Sequence, residues 1–218
     1  MDLSTSLGNL RISEAHPDLV FPAMGMHPLN INEGELDALR GLISASRDRL
    51  VAIGEVGLDA KATELFGSQR QYSVLRAFLS LSKELDLPVI IHSRGMQEEA
   101  FRIVVEAGVE RALFHWFSGP IGLLRDLTGS GYPISIGPSI MYSKGVREVA
   151  REAPVDLILT ETDGPVHYRG VTEGGLTSPA LVPKVVSEIA RLRGVPEQGL
   201  KEAIEENFER FFRVRASR

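Results

Sequence analysis

Four short apolar stretches, each followed directly by a histidine or an acidic residue, constrain the fold of this chain more than any other feature. They lead to Glu55 in VAIGEVGLD, to His92 in PVIIHSR, to His115 in RALFHWFSG, and to Glu161 and Asp163 in DLILTETDGP. An apolar run of four to eight residues bounded by turn signals is typical of a buried parallel strand. A charge at the end of such a strand is costly unless it is paired or binds a metal. These side chains are therefore candidates for a shared polar site at the carboxyl ends of the strands.

The segments between the strands have the apolar spacing of helices, so strands and helices alternate along the chain. This alternation is typical of βαβ units on a parallel sheet. We predict six strands, at 19–26, 51–55, 88–92, 112–116, 132–137 and 157–160, and eight helices, at 4–15, 33–47, 68–85, 97–107, 121–128, 143–152, 180–193 and 197–212. The predicted fold class is α/β, a TIM-type barrel. Because no linker or low-complexity stretch divides residues 1–218, we predict a single domain.

The composition excludes several classes of protein. A net charge of −5 and a pI of about 5.6 argue against a broad basic surface that clamps nucleic acid without regard to sequence. The absence of cysteine excludes disulfides, thiol nucleophiles and cysteine-ligated zinc. The sequence has no apolar run of ~18 residues and no secretory signal at its start, so we expect a cytoplasmic protein that does not span a membrane.

The chemistry of the strand ends indicates metal-assisted hydrolysis. Active sites of parallel barrels lie at the rim that receives the carboxyl ends of the strands, so we expect Glu55, His92, His115 and Asp163 to converge there. Imidazole combined with carboxylate suits Zn, Mn, Fe or Ni better than Ca. A bound metal lowers the pKa of water, and a bridging carboxylate would allow two metals to lie ~3.5–4 Å apart.

Six motifs in order resemble the TatD family of metal-dependent deoxyribonucleases. They are GMHP, GEVGLD, IHSR, FHWFSG, ETDGP and NFERFF, and the match runs in order from about residue 19 to residue 212. The resemblance implies an amidohydrolase-like barrel that hydrolyses phosphodiester bonds in DNA. It also implies one or two divalent ions per chain, of Zn, Mn, Mg or Ni.

The resemblance assigns roles to the four candidate ligands. Glu55 would bridge two metals, and His92 with His115 would complete the shell of the second metal. Asp163 would bind the first metal and orient or deprotonate the water. Glu55 and Asp163 are thus the catalytic candidates.

Four further residues are assigned to the surroundings of the metal. Arg94 would meet a substrate phosphate, for which its planar guanidinium is suited, and His27 would contact the substrate or a metal ligand. Asp59 would orient a ligand through a hydrogen bond. Glu161 would support the site through hydrogen bonds rather than bind metal.

The sequence departs from the family in lacking the opening strand with its His-x-His pair. The five histidines lie at 16, 27, 92, 115 and 167. We therefore expect an incomplete barrel of about six strands, without the first two βα units, whose edge strands favour self-association. Three explanations stay open: a start codon assigned too late, a truncated and impaired or one-metal hydrolase, and a non-catalytic scaffold. A further alternative is an amidohydrolase-like enzyme that acts on a small ester, amide or phosphoester.

Each candidate also has a structural interpretation. His92 and His115 suit buried core histidines, Asp163 suits the cap of a turn, and Arg94 suits a salt bridge. We favour metal binding because the histidines follow matching strands and have two carboxylates as partners. For His27 the interpretations as pocket residue and as turn residue both stay open.

Overall fold

The computed structural model describes residues 1–168, 170–172 and 175–215, and it confirms the α/β fold class. The strands are β1 (Ala23–Met24), β2 (Ala52–Gly57), β3 (Val89–His92), β4 (Ala112–Phe114), β5 (Ile134–Ile136) and β6 (Ile158–Thr160). The helices are α1 (Leu3–Ala15), α2 (Glu33–Ala45), α3 (Ala60–Phe66), α4 (Ser68–Leu85), α5 (Gln97–Ala107), α6 (Ile121–Gly129), α7 (Lys144–Glu152), α8 (Val182–Arg193) and α9 (Glu197–Phe212). The strands form a parallel sheet in which their order is the order of the chain. In the described part of the chain, no helix combines the length and the apolarity needed to cross a bilayer.

Two elements differ from the sequence-based predictions. The strand predicted at 19–26 is only two residues long, and proline at position 22 cannot donate a backbone hydrogen bond to a strand ladder. A helix, α3, lies where a loop was predicted. It begins after Asp59, whose carboxylate accepts a hydrogen bond from the Lys61 backbone N–H at 2.7 Å. Seven residues are too few to show a helical apolar period, which explains the omission.

The chain forms two compact units. Unit 1 comprises Met1–Leu113 with the segment from Phe211 onward, and unit 2 comprises Phe114–Arg210. Unit 1 contains β1, β2 and β3, whereas unit 2 contains β5 and β6, and β4 reaches the boundary. The single domain over residues 1–218 stays a prediction.

In unit 1, β2 is a buried strand. Its residues have almost no exposed surface except Glu55, whose side chain is 18% exposed. The apolar face of α4 faces the protein interior because its apolar residues recur at helical spacing and are all buried, at Val74, Leu75, Phe78, Leu79 and Leu81. Burial of this face holds β2 and therefore fixes where Glu55 projects.

In unit 2, a buried asparagine of the NFERFF motif ties α9 to the start of β6. The Asn207 amide donates to the backbone oxygens of Val155 at 2.7 Å and Ile158 at 2.9 Å. Apolar residues of α8 and β5 are also fully buried in this unit, including Ile134, Ile136 and Ile189. The motif therefore has a structural role in positioning β6, the strand that leads to Glu161 and Asp163.

A glycine allows β2 and β3 to approach each other where His92 projects. Gly57 has φ of +150° and pairs with His92 in the parallel register. A Cβ at Gly57 would lie 1.9 Å from the backbone oxygen of His92. The next residue, Leu58, donates its N–H to the same oxygen at 2.8 Å. No side chain fits at position 57 without separating the two strands.

We expect Gly57→Ala to destabilise the protein by about 3 kcal/mol or more, because the new methyl group overlaps the backbone of β3 and the positive φ is strained. Chemical denaturation monitored by circular dichroism measures this. Gly41→Ala in α2, where nothing lies within 4 Å of the added methyl group, is the matched control. It should stabilise the protein by about 0.5–1 kcal/mol. Equal effects of the two substitutions would contradict the steric argument.

Candidate metal centre

In unit 1, His92 lies between two carboxylates. Its Nε2 is 2.8 Å from Oδ2 of Asp59, and its Nδ1 is 2.7 Å from Oε1 of Glu55. Burial alone raises the pKa of Asp59, but hydrogen bonds from His92, the Lys61 backbone and Arg94 outweigh it and lower this pKa below its usual value. Asp59 is therefore an ionised acceptor to which His92 donates its Nε2–H. This leaves Nδ1 directed at Glu55, the arrangement that carboxylate–histidine pairs give to metal ligands.

Asp59 is fully buried and is held by α4. The side-chain oxygen of Gln71 accepts the backbone N–H of Asp59 at 2.8 Å, and the Gln71 amide donates to the backbone oxygen of Asp59 at 3.3 Å. The role of Asp59 in orienting a metal ligand stays a prediction, and no sequence motif indicated Gln71. The available signal was a polar residue at position 71 on a helix face that otherwise carries apolar side chains.

His27 approaches the same cluster from the loop after β1. Its Nδ1 accepts the backbone N–H of Leu29 at 3.1 Å, and its Nε2 lies 3.6 Å from Oε1 of Glu55. Burial lowers the pKa of His27 to about 4, although the nearby charge of Glu55 acts in the opposite direction. The ring is therefore neutral, with its proton on Nε2. In this tautomer the Nε2–H of His27 points toward Glu55, at a distance too long for a hydrogen bond.

The donor set of unit 1 fits a divalent metal. One potential ligand atom from each of His27, Glu55 and His92 lies within 4.8 Å of the other two. Carboxylate with imidazole suits the ions expected from the sequence. Glu55 and the Nδ1 of His92 are the better pair, because ligation through Nε2 of His27 would move its proton to Nδ1, where it would oppose the Leu29 N–H.

Arg94 forms the salt bridge that was one of its two interpretations. Its Nε is 3.0 Å from Oδ2 of Asp59, and its Nη2 is 3.3 Å from Oδ1. The side chain is 61% exposed, and no partner of its Nη1 group occurs in the described residues. The predicted contact with a substrate phosphate stays a prediction, for which this outer group is available.

In unit 2, Glu161 lies beside His115. Oε2 of Glu161 is 3.4 Å from Nδ1 of His115 and accepts a hydrogen bond from the Ser135 hydroxyl. The Ser135 hydroxyl in turn accepts the backbone N–H of Trp116 at 3.0 Å. The carboxyl group of Glu161 is thus close to the His115 ring, and its predicted supporting role stays a prediction.

Asp163 is half-buried and adopts a left-handed backbone conformation, with φ of +46°. Its backbone oxygen accepts the N–H of Val166, so it begins a turn as the structural interpretation expected. Burial raises the pKa of the Tyr168 hydroxyl, and the charges of Asp163 and Glu161 raise it further. Convergence of Asp163 and His115 with Glu55 and His92 stays a prediction.

A family model described as TatD related DNase matches residues 1–213. This chain belongs to the TatD family. The sequence-based resemblance is therefore confirmed over nearly the whole chain.

Relatives in the TatD family extend the comparison. The human deoxyribonuclease TATDN3 is 30% identical, with 93% of this chain and 78% of that protein covered. The uncharacterized metal-dependent hydrolase YabD of Bacillus subtilis is also 30% identical, over 90% of this chain and 79% of its own length. The crystal structure of YJJV, a TatD homologue of Escherichia coli, has a TM-score of 0.88 and 27% identity, with 98% of this chain and 84% of that one covered.

The pKa of His27 makes stability depend on pH in the metal-free protein. The unfolded chain takes up a proton on His27 below its ordinary pKa of 6.5, whereas the folded protein does so only near pH 4. Acidification from 6.5 to 4 should therefore cost wild type up to about 3 kcal/mol more than His27→Gln. Urea denaturation across this pH range measures the difference. His16→Gln, at an exposed histidine, is the control. Parallel curves for wild type and His27→Gln would contradict the assignment.

Proposed function

We propose that this TatD-family chain is a metal-dependent hydrolase that cleaves phosphodiester bonds in DNA. The observation that carries the proposal is His92, held by Asp59 so that its Nδ1 faces Glu55 at 2.7 Å. A histidine oriented in this way, beside a second potential ligand, indicates a metal site more specifically than any single sequence motif does. The family of the chain and the names of its relatives agree with this chemistry.

The proposed ligands are Glu55, His92, His115 and Asp163, which would hold one or two divalent ions. Hydrolysis requires an activated water, which a bound divalent ion supplies by lowering the pKa of that water and polarising a phosphoryl oxygen. We expect Asp163 to orient the attacking water and accept its proton. Asp59 and Glu161 would keep the two imidazoles in the orientation that ligation needs.

Two residues of unit 1 are proposed to contact the substrate. His27 is neutral and directs its Nε2–H toward Glu55 across 3.6 Å, which is longer than a hydrogen bond. A phosphoryl oxygen of the substrate near Glu55 would be within reach of this donor. Arg94 would contact a neighbouring phosphate through its exposed Nη1 group while Asp59 holds the rest of the guanidinium.

DNA is the proposed substrate because the human relative carries the name deoxyribonuclease. The net charge of −5 indicates that a broad basic surface does not supply the affinity. We expect recognition to depend on a few phosphates next to the metal ligands. DNA binding should therefore weaken with salt less steeply than for proteins that neutralise many phosphates.

We expect His115→Ala to lower the rate of DNA hydrolysis at least about 100-fold, because loss of a ligand should exceed the 10–100-fold effect of losing an outer hydrogen-bond partner. The assay uses a fluorescently labelled oligonucleotide with Mg²⁺, Mn²⁺ or Zn²⁺ added to chelator-treated protein. His16→Ala, at an exposed histidine on the end of α1, is the matched control and should retain full activity.

Three outcomes separate the alternatives. Hydrolysis that requires metal and is lost in His115→Ala supports the proposal. Turnover of a small ester or phosphoester without DNA cleavage would indicate that the substrate is a small molecule rather than DNA. Metal-loaded protein that hydrolyses neither substrate would contradict catalysis and leave the scaffold interpretation.

A further inference from the structure

We propose that Gln71 is a positioning residue for metal binding, which acts on His92 through Asp59. The inference rests on the proposed function, because it concerns a metal held by His92. It adds a residue that no sequence motif indicated.

The side chain of Gln71 pairs with the backbone of Asp59 as a neighbouring strand would. Its oxygen accepts the Asp59 N–H at 2.8 Å, and its nitrogen donates to the Asp59 backbone oxygen at 3.3 Å. The same nitrogen donates to the Thr63 hydroxyl at 2.8 Å. Gln71 has no exposed surface, and both polar atoms of its amide form hydrogen bonds within the protein.

A buried amide on an apolar helix face is costly unless its hydrogen bonds are made. Gln71 lies on the face of α4 that also buries Val74 and Leu75. An apolar side chain would suit packing equally well but would leave the buried Asp59 N–H without this acceptor. The N–H that this amide satisfies belongs to Asp59, the residue whose carboxylate contacts His92, so the effect of Gln71 reaches the imidazole as well as the stability of the fold.

Asp59 transmits the constraint to His92. Its backbone is fixed by Gln71, and its carboxylate accepts from His92 Nε2 at 2.8 Å, from the Lys61 N–H at 2.7 Å and from Arg94. Because Asp59 caps the start of α3, a shift of its backbone moves the carboxylate away from Nε2. The His92 ring would then be free to turn Nδ1 away from Glu55.

The test is a double-mutant cycle on Zn²⁺ affinity, measured by competition with a chelating dye in the folded full chain. Gln71→Met keeps the length of the side chain and removes its hydrogen bonds. Since loss of an outer hydrogen-bond partner weakens metal affinity about 10–100-fold, we expect a weakening of about 10-fold for Gln71→Met. In the Asp59→Asn background, the same substitution should change the affinity less than about twofold, because the route to His92 is already broken.

Two further variants serve as an alternative substitution and as a control. If Gln71→Met folds poorly, Gln71→Glu replaces it, because a carboxylate oxygen can still accept the Asp59 N–H. Gln71→Glu should therefore weaken Zn²⁺ binding less than Gln71→Met does. Gln198→Met changes an exposed glutamine of α9 that bonds Glu202, so it should leave the Zn²⁺ affinity unchanged. A Gln71→Met effect of equal size in both backgrounds, or a loss of stability without a change in Zn²⁺ affinity, overturns the proposal.

The variant His92→Ala tests the proposed metal site independently of the role of Gln71. If wild type binds Zn²⁺ with an affinity that His92→Ala does not reduce, His92 is not a ligand and the metal centre itself is wrong. If His92→Ala reduces the affinity and Gln71→Met does not, only the positioning role of Gln71 is wrong.

Discussion

The pairing of one imidazole with two carboxylates is the interaction on which the rest of unit 1 depends. His92 ends β3, and its two nitrogens lie 2.7 Å and 2.8 Å from oxygens of Glu55 and Asp59. Both distances require β2 and β3 to be close, which the absence of a side chain at Gly57 allows. Packing of the strands and alignment of the polar groups are therefore one constraint rather than two.

Burial makes this pairing specific. Asp59 has no exposed surface, and an isolated charge there would be strongly unfavourable. Donors from His92, the Lys61 backbone and Arg94 offset that cost, so the carboxylate has few alternative orientations. Arg94 itself is largely exposed and contributes less than the buried partners, as ion pairs at a surface do. A site that is rigid before a ligand arrives loses less entropy when it binds.

The sequence predicted the elements that depend on local pattern. Apolar runs located β2 to β6 and the ends of β3 and β4, at or next to His92 and His115, whereas Glu55, predicted at the end of its strand, lies inside β2, which continues to Gly57. The strand predicted at 19–26 proved to be only the two-residue β1, and the short α3 was not predicted, since neither is long enough to show a period. The contact of Gln71 with Asp59 joins residues 12 positions apart through a tertiary approach of α4, which no local pattern encodes. The tautomer of His27 likewise depends on where the Leu29 N–H lies in space.

Gly57 also couples the spacing of β2 and β3 to the position of the His92 imidazole. The carbonyl that receives the Leu58 N–H belongs to His92, so the residue that presents the imidazole is also part of the hydrogen-bonded ladder. A change in the spacing of these two strands would therefore displace the His92 ring. One backbone position, Gly57, therefore carries both the packing of the sheet and the placement of the imidazole.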